Sequence, residues 1–371
     1  MPINRERLLE SFAGLVNIDS PSFSECGMAE YLTERLKKLG FFVAEDDAGK
    51  AIGGSCNNLY GSLAGDLPYA PLLLCAHMDT VEPCRNKRAV FHADGRITSA
   101  GDTILGADDC AGIAAVLEAV ESLREENSPH RPIEVLFTVA EEPYCTGAAQ
   151  INYTRIRSKE CYVLDLTGPV GRAALKAPTI FLFTVHITGR AAHAGFEPEK
   201  GVHAIVAAAR AISVLHMGRQ DEETVLNIGS IAGGTVTNIV PEECTVRGEI
   251  RSYTHEKAVA CLRGVEEAFL EAAKKLGAEI QFETKQACHA YETPQDHAVT
   301  LRFQKAAREM GLSGELAATF GGSDNNFLSQ NGVTGLVLAT AMNCCHSKEE
   351  YTTEAELVNI ASLVYAILQK E

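Results

Sequence analysis

Pro71-Leu72-Leu73-Leu74-Cys75-Ala76-His77-Met78-Asp79-Thr80 is an apolar run that ends in a His-x-Asp pair. A short continuous apolar run predicts a strand buried on both faces, as in the sheets of α/β folds. Residues i and i+2 of a strand point the same way, so His77 and Asp79 leave its carboxyl end side by side. That edge is where open α/β sheets build their sites. An imidazole with a carboxylate beside it reads as a metal ligand with its orienting partner. A core histidine satisfied by a nearby aspartate is the alternative for this stretch alone.

The pattern recurs along the chain. Residues 133–140 form a second buried strand pattern that ends in Glu141-Glu142, and residues 161–164 a third that ends in Asp165. Leu105-Gly106-Ala107-Asp108-Asp109 opens a helix with Ile113, Ala114, Val116, Leu117, Val120 and Leu123 at helical spacing. An N-cap or a first-turn carboxylate accounts for one of the two aspartates. The small residues beside them let something come close to the backbone. Gly335-Leu336-Val337-Leu338-Ala339 is another buried strand, and His346 lies shortly past it. Carboxylates cluster in this way only when a cation neutralises them.

His77, Asp79, Asp108, Glu141, Glu142, Asp165 and His346 thus converge, with two imidazoles and no cysteine among them. That donor set suits Zn²⁺ or its neighbours Co²⁺ and Mn²⁺. One cation needs only three protein ligands, so this many candidates imply two divalent ions with one carboxylate bridging them. Two ions roughly 3.5–4 Å apart can hold a hydroxide and polarise a carbonyl together. Glu141 and Glu142 diverge in extended geometry, so one can bind metal while the other stays free as general base. A solvated strand end is the alternative for the Glu pair taken alone.

The remaining chain sets the frame. Its 371 residues are too many for one ordinary core, which predicts two domains or one inserted into another. A net charge of −16 argues against nucleic acid and anionic membrane as partners. No apolar run reaches transmembrane length, and the N-terminus lacks the apolar core of a signal peptide. Twelve cysteines occur without a Cys-x-x-Cys pair, which predicts reduced thiols in the cytoplasm. Helices are expected over 5–18 and, capped by Ser24, up to a stop at Gly40; strands over 41–43 and 58–63; and a hairpin-like segment over 85–98. From residue 178 the order becomes strand 179–188, helix 201–217, strands 225–231 and 244–250, helix 255–276 and strand 278–283. This is the split β-α-β-β-α-β unit. Helices at 298–310 and 354–369 then resume the larger α/β domain. The expected organisation is therefore a domain of residues 1–177 and 288–371 with residues 178–287 inserted.

Read together, His77-Met78-Asp79-Thr80-Val81, Gly106-Ala107-Asp108-Asp109-x-Ala111-Gly112, Glu141-Glu142, Gly189-Arg190-x-Ala192-His193-Ala194-Gly195, Asn238-Ile239-Val240-Pro241, Gly321-Gly322-Ser323-Asp324 and His346 resemble the M20 family of co-catalytic metallopeptidases, most of all its peptidase T (tripeptidase) branch. The resemblance covers nearly the whole chain. It implies a mixed-sheet α/β zinc-peptidase catalytic domain with an inserted ferredoxin-like α+β lid domain. It implies His77 and Asp165 on one metal, Glu142 and His346 on the other, and Asp108 bridging. Asp79 orients His77, Glu141 is the base, and the Asp108–Asp109 peptide bond is cis. His193 reaches the partner subunit's site in a lid-mediated homodimer and stabilises the oxyanion. Asn238 and Arg251 hold the substrate's backbone or terminal carboxylate, with a surface ion pair as the other reading of Arg251. Gly322 and Ser323 anchor peptide carbonyls through their backbone N–H groups. Cys110 replaces the branch's usual Lys, and Pro143-Tyr144-Cys145-Thr146 follows the Glu pair where Gly is common.

The expected function is a dinuclear-metal hydrolase of amide bonds in short peptides, of the tripeptide aminopeptidase type. An N-acyl-amino-acid amidohydrolase or dipeptidase of the same family is the alternative. From another class, the fold could serve a non-catalytic peptide- or metal-binding protein. Retention of Glu141, which turnover alone requires, argues against that class.

Overall fold

Strands Leu72–His77 and Ile133–Thr138 are buried at every residue, which is why neither shows the alternation of a half-exposed strand. They pair in parallel, Leu72 opposite Ile133 and His77 opposite Thr138. Glu160–Leu166 pairs in parallel on the other side of Leu72–His77, and Thr334–Ala339 lies parallel beyond it. All four carboxyl ends therefore fall along one edge of the sheet. Antiparallel strands extend it: Leu59–Leu63 beside Ile133–Thr138, Phe42–Glu45 outside that, and Arg172–Ala177 beside Thr334–Ala339. The result is a nine-stranded mixed sheet. The computed structural model describes residues 2–370.

Two compact units divide the chain. The first takes the described residues up to Lys176, then Glu292–Thr319 and the described residues from Ser323 onward; the second takes Ala177–Tyr291 and Phe320–Gly322. The break at Tyr291 lies beyond the expected residue 287 because the last strand of the second unit runs on through Cys288. Phe320 belongs with the second unit because its ring packs on Tyr253, centroids 4.4 Å apart, and its carbonyl accepts from Arg251 Nη1 at 2.8 Å.

Within the first unit, helix Ala107–Glu125 is buried almost throughout, an outcome of its Ala-Gly-Ile-Ala-Ala-Val sequence. It packs against strands Leu72–His77 and Glu160–Leu166 and against helices Arg5–Val16 and Glu354–Leu368. Glu118, buried on this helix, is held by Arg7 through Nε at 2.7 Å and Nη2 at 2.8 Å. The expected Ser24 cap does not form. Helix Cys26–Lys38 begins two residues later, with Glu25 at the cap position and its carboxylate making no cap bond. Segment 85–98 does form a hairpin, Ala89–Phe91 with Arg96–Ser99, and Tyr351–Thr353 adds a third strand that no alternation in the sequence announces.

Inside the second unit, five antiparallel strands take the order Gly218–Arg219, Thr224–Gly233, Glu243–Ser252, Thr179–Thr188, Glu279–Cys288. Phe181, Phe183, Val185 and Ile187 alternate along one strand onto a core shared with helices Ala204–Val214 and His255–Leu276. No helix among the described residues is long and apolar enough to cross a membrane. No disulfide forms among them either.

Gly112 sets how closely the buried helix approaches the sheet. A Cβ there would lie 2.4 Å from Asp109 Oδ1 and 2.7 Å from the Leu164 carbonyl oxygen, on the strand that carries Asp165. Gly112→Ala is expected to destabilise the protein by about 1–3 kcal/mol, the usual cost of overpacking. Urea unfolding of the two proteins side by side measures it.

Candidate metal centre

His77 is the last residue of its strand and only 2% exposed. Its Nδ1 lies 2.9 Å from the Asp79 carbonyl oxygen and 3.5 Å from Asp79 Oδ1. Its Nε2 faces Asp108 Oδ1 at 3.0 Å and Asp165 Oδ1 at 4.0 Å. His346 arrives from the loop after Thr334–Ala339 and places Nε2 3.2 Å from Asp108 Oδ2 and 3.0 Å from Glu142 Oε2. Asp108 therefore offers one oxygen to each imidazole. Donor atoms of His77, Glu141 and Asp165 lie within 4.8 Å of one another, as do those of His77, Asp108 and Glu142. The structure thus brings all seven predicted residues of this centre together.

Backbone clamps hold these side chains. Asp79, fully buried, accepts from the N–H of Glu141 at 2.9 Å through Oδ1. Its Oδ2 accepts from the N–H of Glu142 at 3.2 Å and from Ser22 Oγ at 2.7 Å. One carboxylate thereby fixes the divergence of the Glu pair, while the backbone carbonyl of the same residue takes His77 Nδ1. Asp109 accepts from the N–H of His77 at 3.3 Å and of Gly112 at 3.2 Å, and the Asp108–Asp109 peptide is cis. Sequence reasoning missed two further buried clamps. Glu350 accepts from Gly106 N at 2.6 Å and Asp108 N at 3.0 Å. Glu25 Oε1 accepts from Ala140 N at 2.9 Å and Phe23 N at 2.8 Å. Glu350 sits in a charged run that reads as surface, and Glu25 follows a serine-rich turn where a capping serine is the simpler expectation. Cys145, also missed, donates its thiol to Glu141 Oε1 at 3.1 Å.

The electrostatics follow from packing these acids together. Burial pushes the Glu141 and Asp165 carboxyls well above their usual range, and neighbouring carboxylates add to it. Burial acts the same way on Asp108, but the hydrogen bonds of His346 and His77 outweigh it and hold that carboxylate below its usual range. Hydrogen bonding to Asp108, then to Glu142, pushes His346 up to about 11. Glu142 Oε1 is buried and has no hydrogen-bond partner. An orphaned carboxylate oxygen amid two imidazoles and a stack of acids fits a pair of divalent cations, which would satisfy it and offset the repulsion. Cys110 is 2% exposed, and burial pushes its thiol up to about 12, the environment of an inert packing residue.

The other predicted residues, apart from Ser323, lie in the second unit. His193 Nδ1 accepts from the N–H of Gly195 at 3.1 Å and of Phe196 at 3.2 Å, so the neutral ring carries its proton on Nε2. The Asn238 carbonyl accepts from Ala194 N at 2.9 Å and ties a second loop to the same turn. Arg251 makes the ion pair that its alternative reading foresaw, with Nε and Nη2 on Glu249 at 2.9 and 3.0 Å. Gly322 leaves no room for a side chain, since a Cβ would sit 2.8 Å from Cys288 Sγ. In the first unit, Ser323 is 4% exposed and its N–H donates to Asn326 Oδ1 at 3.0 Å. That amide is therefore already used, contrary to the expected peptide anchor.

Removing the Glu350 clamp should loosen Asp108 without touching a ligand. Glu350→Ala is expected to weaken Zn²⁺ binding by about 10–100-fold, the usual effect of losing an outer partner, and Glu350→Gln by less. Equilibrium dialysis of the metal-free proteins checks the order.

Comparison with known proteins agrees with this geometry. Residues 73–370 match peptidase family M20/M25/M40. The chain is 38% identical over 368 residues to YqjE of Bacillus subtilis, a protein of uncharacterized function, with 99% of each chain covered. The structure of a Staphylococcus aureus tripeptidase superposes with a TM-score of 0.97 at 35% identity, covering 100% of this chain and 99% of that one. The aminopeptidase PepT of Bacillus cereus superposes with a TM-score of 0.92 at 37% identity over 100% and 99% of the two chains. With the family's span matched almost end to end and its acidic centre assembled at the sheet edge, the chain belongs to peptidase family M20/M25/M40 and is a peptide hydrolase.

Proposed function

We propose that this chain is a two-metal aminopeptidase that acts on short peptides, tripeptides first among them. The observation that carries it is Asp108, with one oxygen toward His77 and the other toward His346. Its likeness to a tripeptidase and to an aminopeptidase supports the substrate class. His77 and Asp165 would hold one divalent ion, Glu142 and His346 the other, and Asp108 both. Two bound ions, Zn²⁺ first and Co²⁺ or Mn²⁺ otherwise, supply Lewis acidity toward the scissile carbonyl and lower the pKa of a water.

Everything else is done by the chain. Glu141 takes the proton of the attacking water and passes it to the leaving amine. Its burial at 8% exposure and the acids around it raise its proton affinity, which suits a group that takes a proton and later returns it. Asp79 keeps His77 in the tautomer that presents Nε2 to metal and keeps Glu141 and Glu142 apart. In this reading the second unit is a ferredoxin-like lid inserted into a catalytic domain. Its strand and helix order, strand-helix-strand-strand-helix-strand around the short pair at Gly218–Arg219, supports that. His193 on the lid donates Nε2–H to the oxyanion of a partner subunit in a lid-mediated dimer, and Asn238 and Arg251 take the peptide's backbone or carboxylate once Glu249 releases the guanidinium. Twelve cysteines without a disulfide suit a reducing, cytoplasmic setting.

Glu141→Ala should keep near-normal metal content and lose at least about a hundredfold in kcat, the low end for loss of a general base. Metal analysis beside an assay of free tripeptides, dipeptides and N-acyl amino acids with Zn²⁺ or Co²⁺ tests this. Preference for N-acyl amino acids would move the assignment to an amidohydrolase, and turnover of none would leave a binding protein.

Mixing the inactive variants His193→Ala and Glu141→Ala should restore part of the activity, because one site of a mixed dimer then draws an intact Glu141 and an intact His193. A fully active monomer by light scattering would remove the trans role.

A further inference from the structure

Glu141 belongs to a second donor set that the peptidase chemistry does not use. Its carboxylate, the Cys145 sulfur and a carboxylate oxygen of Asp324 lie within 4.8 Å of one another, and all three residues are buried. Asp324 is 1% exposed. Its Oδ2 accepts from Thr138 Oγ1 at 2.5 Å and from Cys75 Sγ at 3.6 Å. Its Oδ1 is buried and has no hydrogen-bond partner. An acceptor left in that state is costly, more so when charged, and a cation in reach removes the cost. Cys145 is held there by a backbone turn: its N–H donates to the Glu141 carbonyl at 2.5 Å, and both it and Tyr144 take left-handed φ values of 51° and 63°.

We propose that Glu141, Cys145 and Asp324 form a third cation site, suited to thiophilic divalent ions such as Cd²⁺ and to Zn²⁺ in excess, and that filling it inhibits the enzyme by withdrawing Glu141. The inhibitory half rests on the reading of Glu141 as the base. One sulfur and two carboxylates make a softer set than the imidazole and carboxylate donors of the main centre, which contain no thiol. Binding replaces the Cys145 S–H bond by a metal–sulfur bond, and the proton passes to the buffer. No electrons are transferred. For Zn²⁺ the site fills after the other two, because it offers no imidazole and must lose a thiol proton first.

The test titrates the metal-free full-length chain with Cd²⁺. Bound ions are counted by equilibrium dialysis, and thiolate ligation is followed by its ultraviolet charge-transfer band. Wild type should bind three equivalents and develop the band. C145S and C145A should stop at two with no band, and D324N should weaken the third by at least about tenfold. The double variant C344S/C345S should behave as wild type, which separates this site from the adjacent thiols beside His346. In the Zn²⁺-loaded enzyme, added Cd²⁺ should abolish turnover over the same range that fills the third site, and C145S should resist it. Two equivalents in wild type, a band that survives in C145S, or a band lost in C344S/C345S overturns the site. A third thiolate-bound ion that leaves turnover intact overturns the inhibition and the reading of Glu141 as base, while the site itself stands.

Discussion

Asp108 has an imidazole at each oxygen, and much of the first unit is arranged to keep it so. Its carboxylate reaches His77 at 3.0 Å and His346 at 3.2 Å, one at the end of strand Leu72–His77 and the other in the loop after Thr334–Ala339. A side chain that must face both cannot sit on a regular helix. Asp108 and Asp109 accordingly leave helical geometry at the start of Ala107–Glu125, with ψ values of 98° and 28°. The N–H of Asp108 goes to Glu350, and the Asp109 carboxylate takes up the N–H of His77. Gly112 then lets the helix lie against the strand that ends near Asp165.

A second constraint is charge. Asp108, Glu141 and Asp324 are all buried at one edge of the sheet, with Glu142 and Asp165 nearly so. Unpaired, such acids repel one another and resist ionising, and the raised Glu141, Asp165 and Asp324 carboxyls express that resistance. The fold holds them together through backbone clamps. Glu25 and Glu350 are themselves pushed up to about 7 by burial, yet each takes two N–H groups next to the centre. They serve as rigid acceptors for loops whose shape the chemistry needs. Residues with strained backbones sit in the same loops. Of the nine non-glycine residues with positive φ among the described residues, Ala140, Tyr144, Cys145, Ala341, Cys344 and His346 all follow strands Ile133–Thr138 and Thr334–Ala339. Each such residue costs roughly 1–3 kcal/mol, and that strain persists only where its surroundings over-determine it.

What is legible in the sequence follows from this division. The buried strands are visible because a strand covered on both faces writes itself as a continuous apolar run, and the ligands are visible because they stand at the ends of those runs. The alternating strand Thr179–Thr188 and the helix His255–Leu276 are equally plain, since each buries one face. The clamps are not legible. Glu25 sits at the start of a helix, where a capping serine is the simpler expectation, and only the fold turns its carboxylate toward Ala140. Glu350 lies in a charged run, Lys348-Glu349-Glu350, that looks like solvated surface until Tyr351–Thr353 joins a sheet and buries it. The engagement of Arg251 by Glu249 is a strand i, i+2 pair, and nothing in the composition ranks it against a free guanidinium.

The turn after the Glu pair shows how one local choice reaches into selectivity. Glu141 and Glu142 diverge because Asp79 takes both their N–H groups, so their separation is set by the chain itself. Ala140 at φ 47° begins the turn, and Tyr144 and Cys145 end it in the same left-handed region. A turn closed by glycine would hold the Glu pair as well and would put no side chain beside Glu141. With cysteine there, the carboxyl receives a weak S–H donor. Once deprotonated, that thiol is also a soft metal ligand. Under the third-site proposal, the cysteine that finishes the turn and donates to Glu141 would also give soft cations a route to that carboxyl.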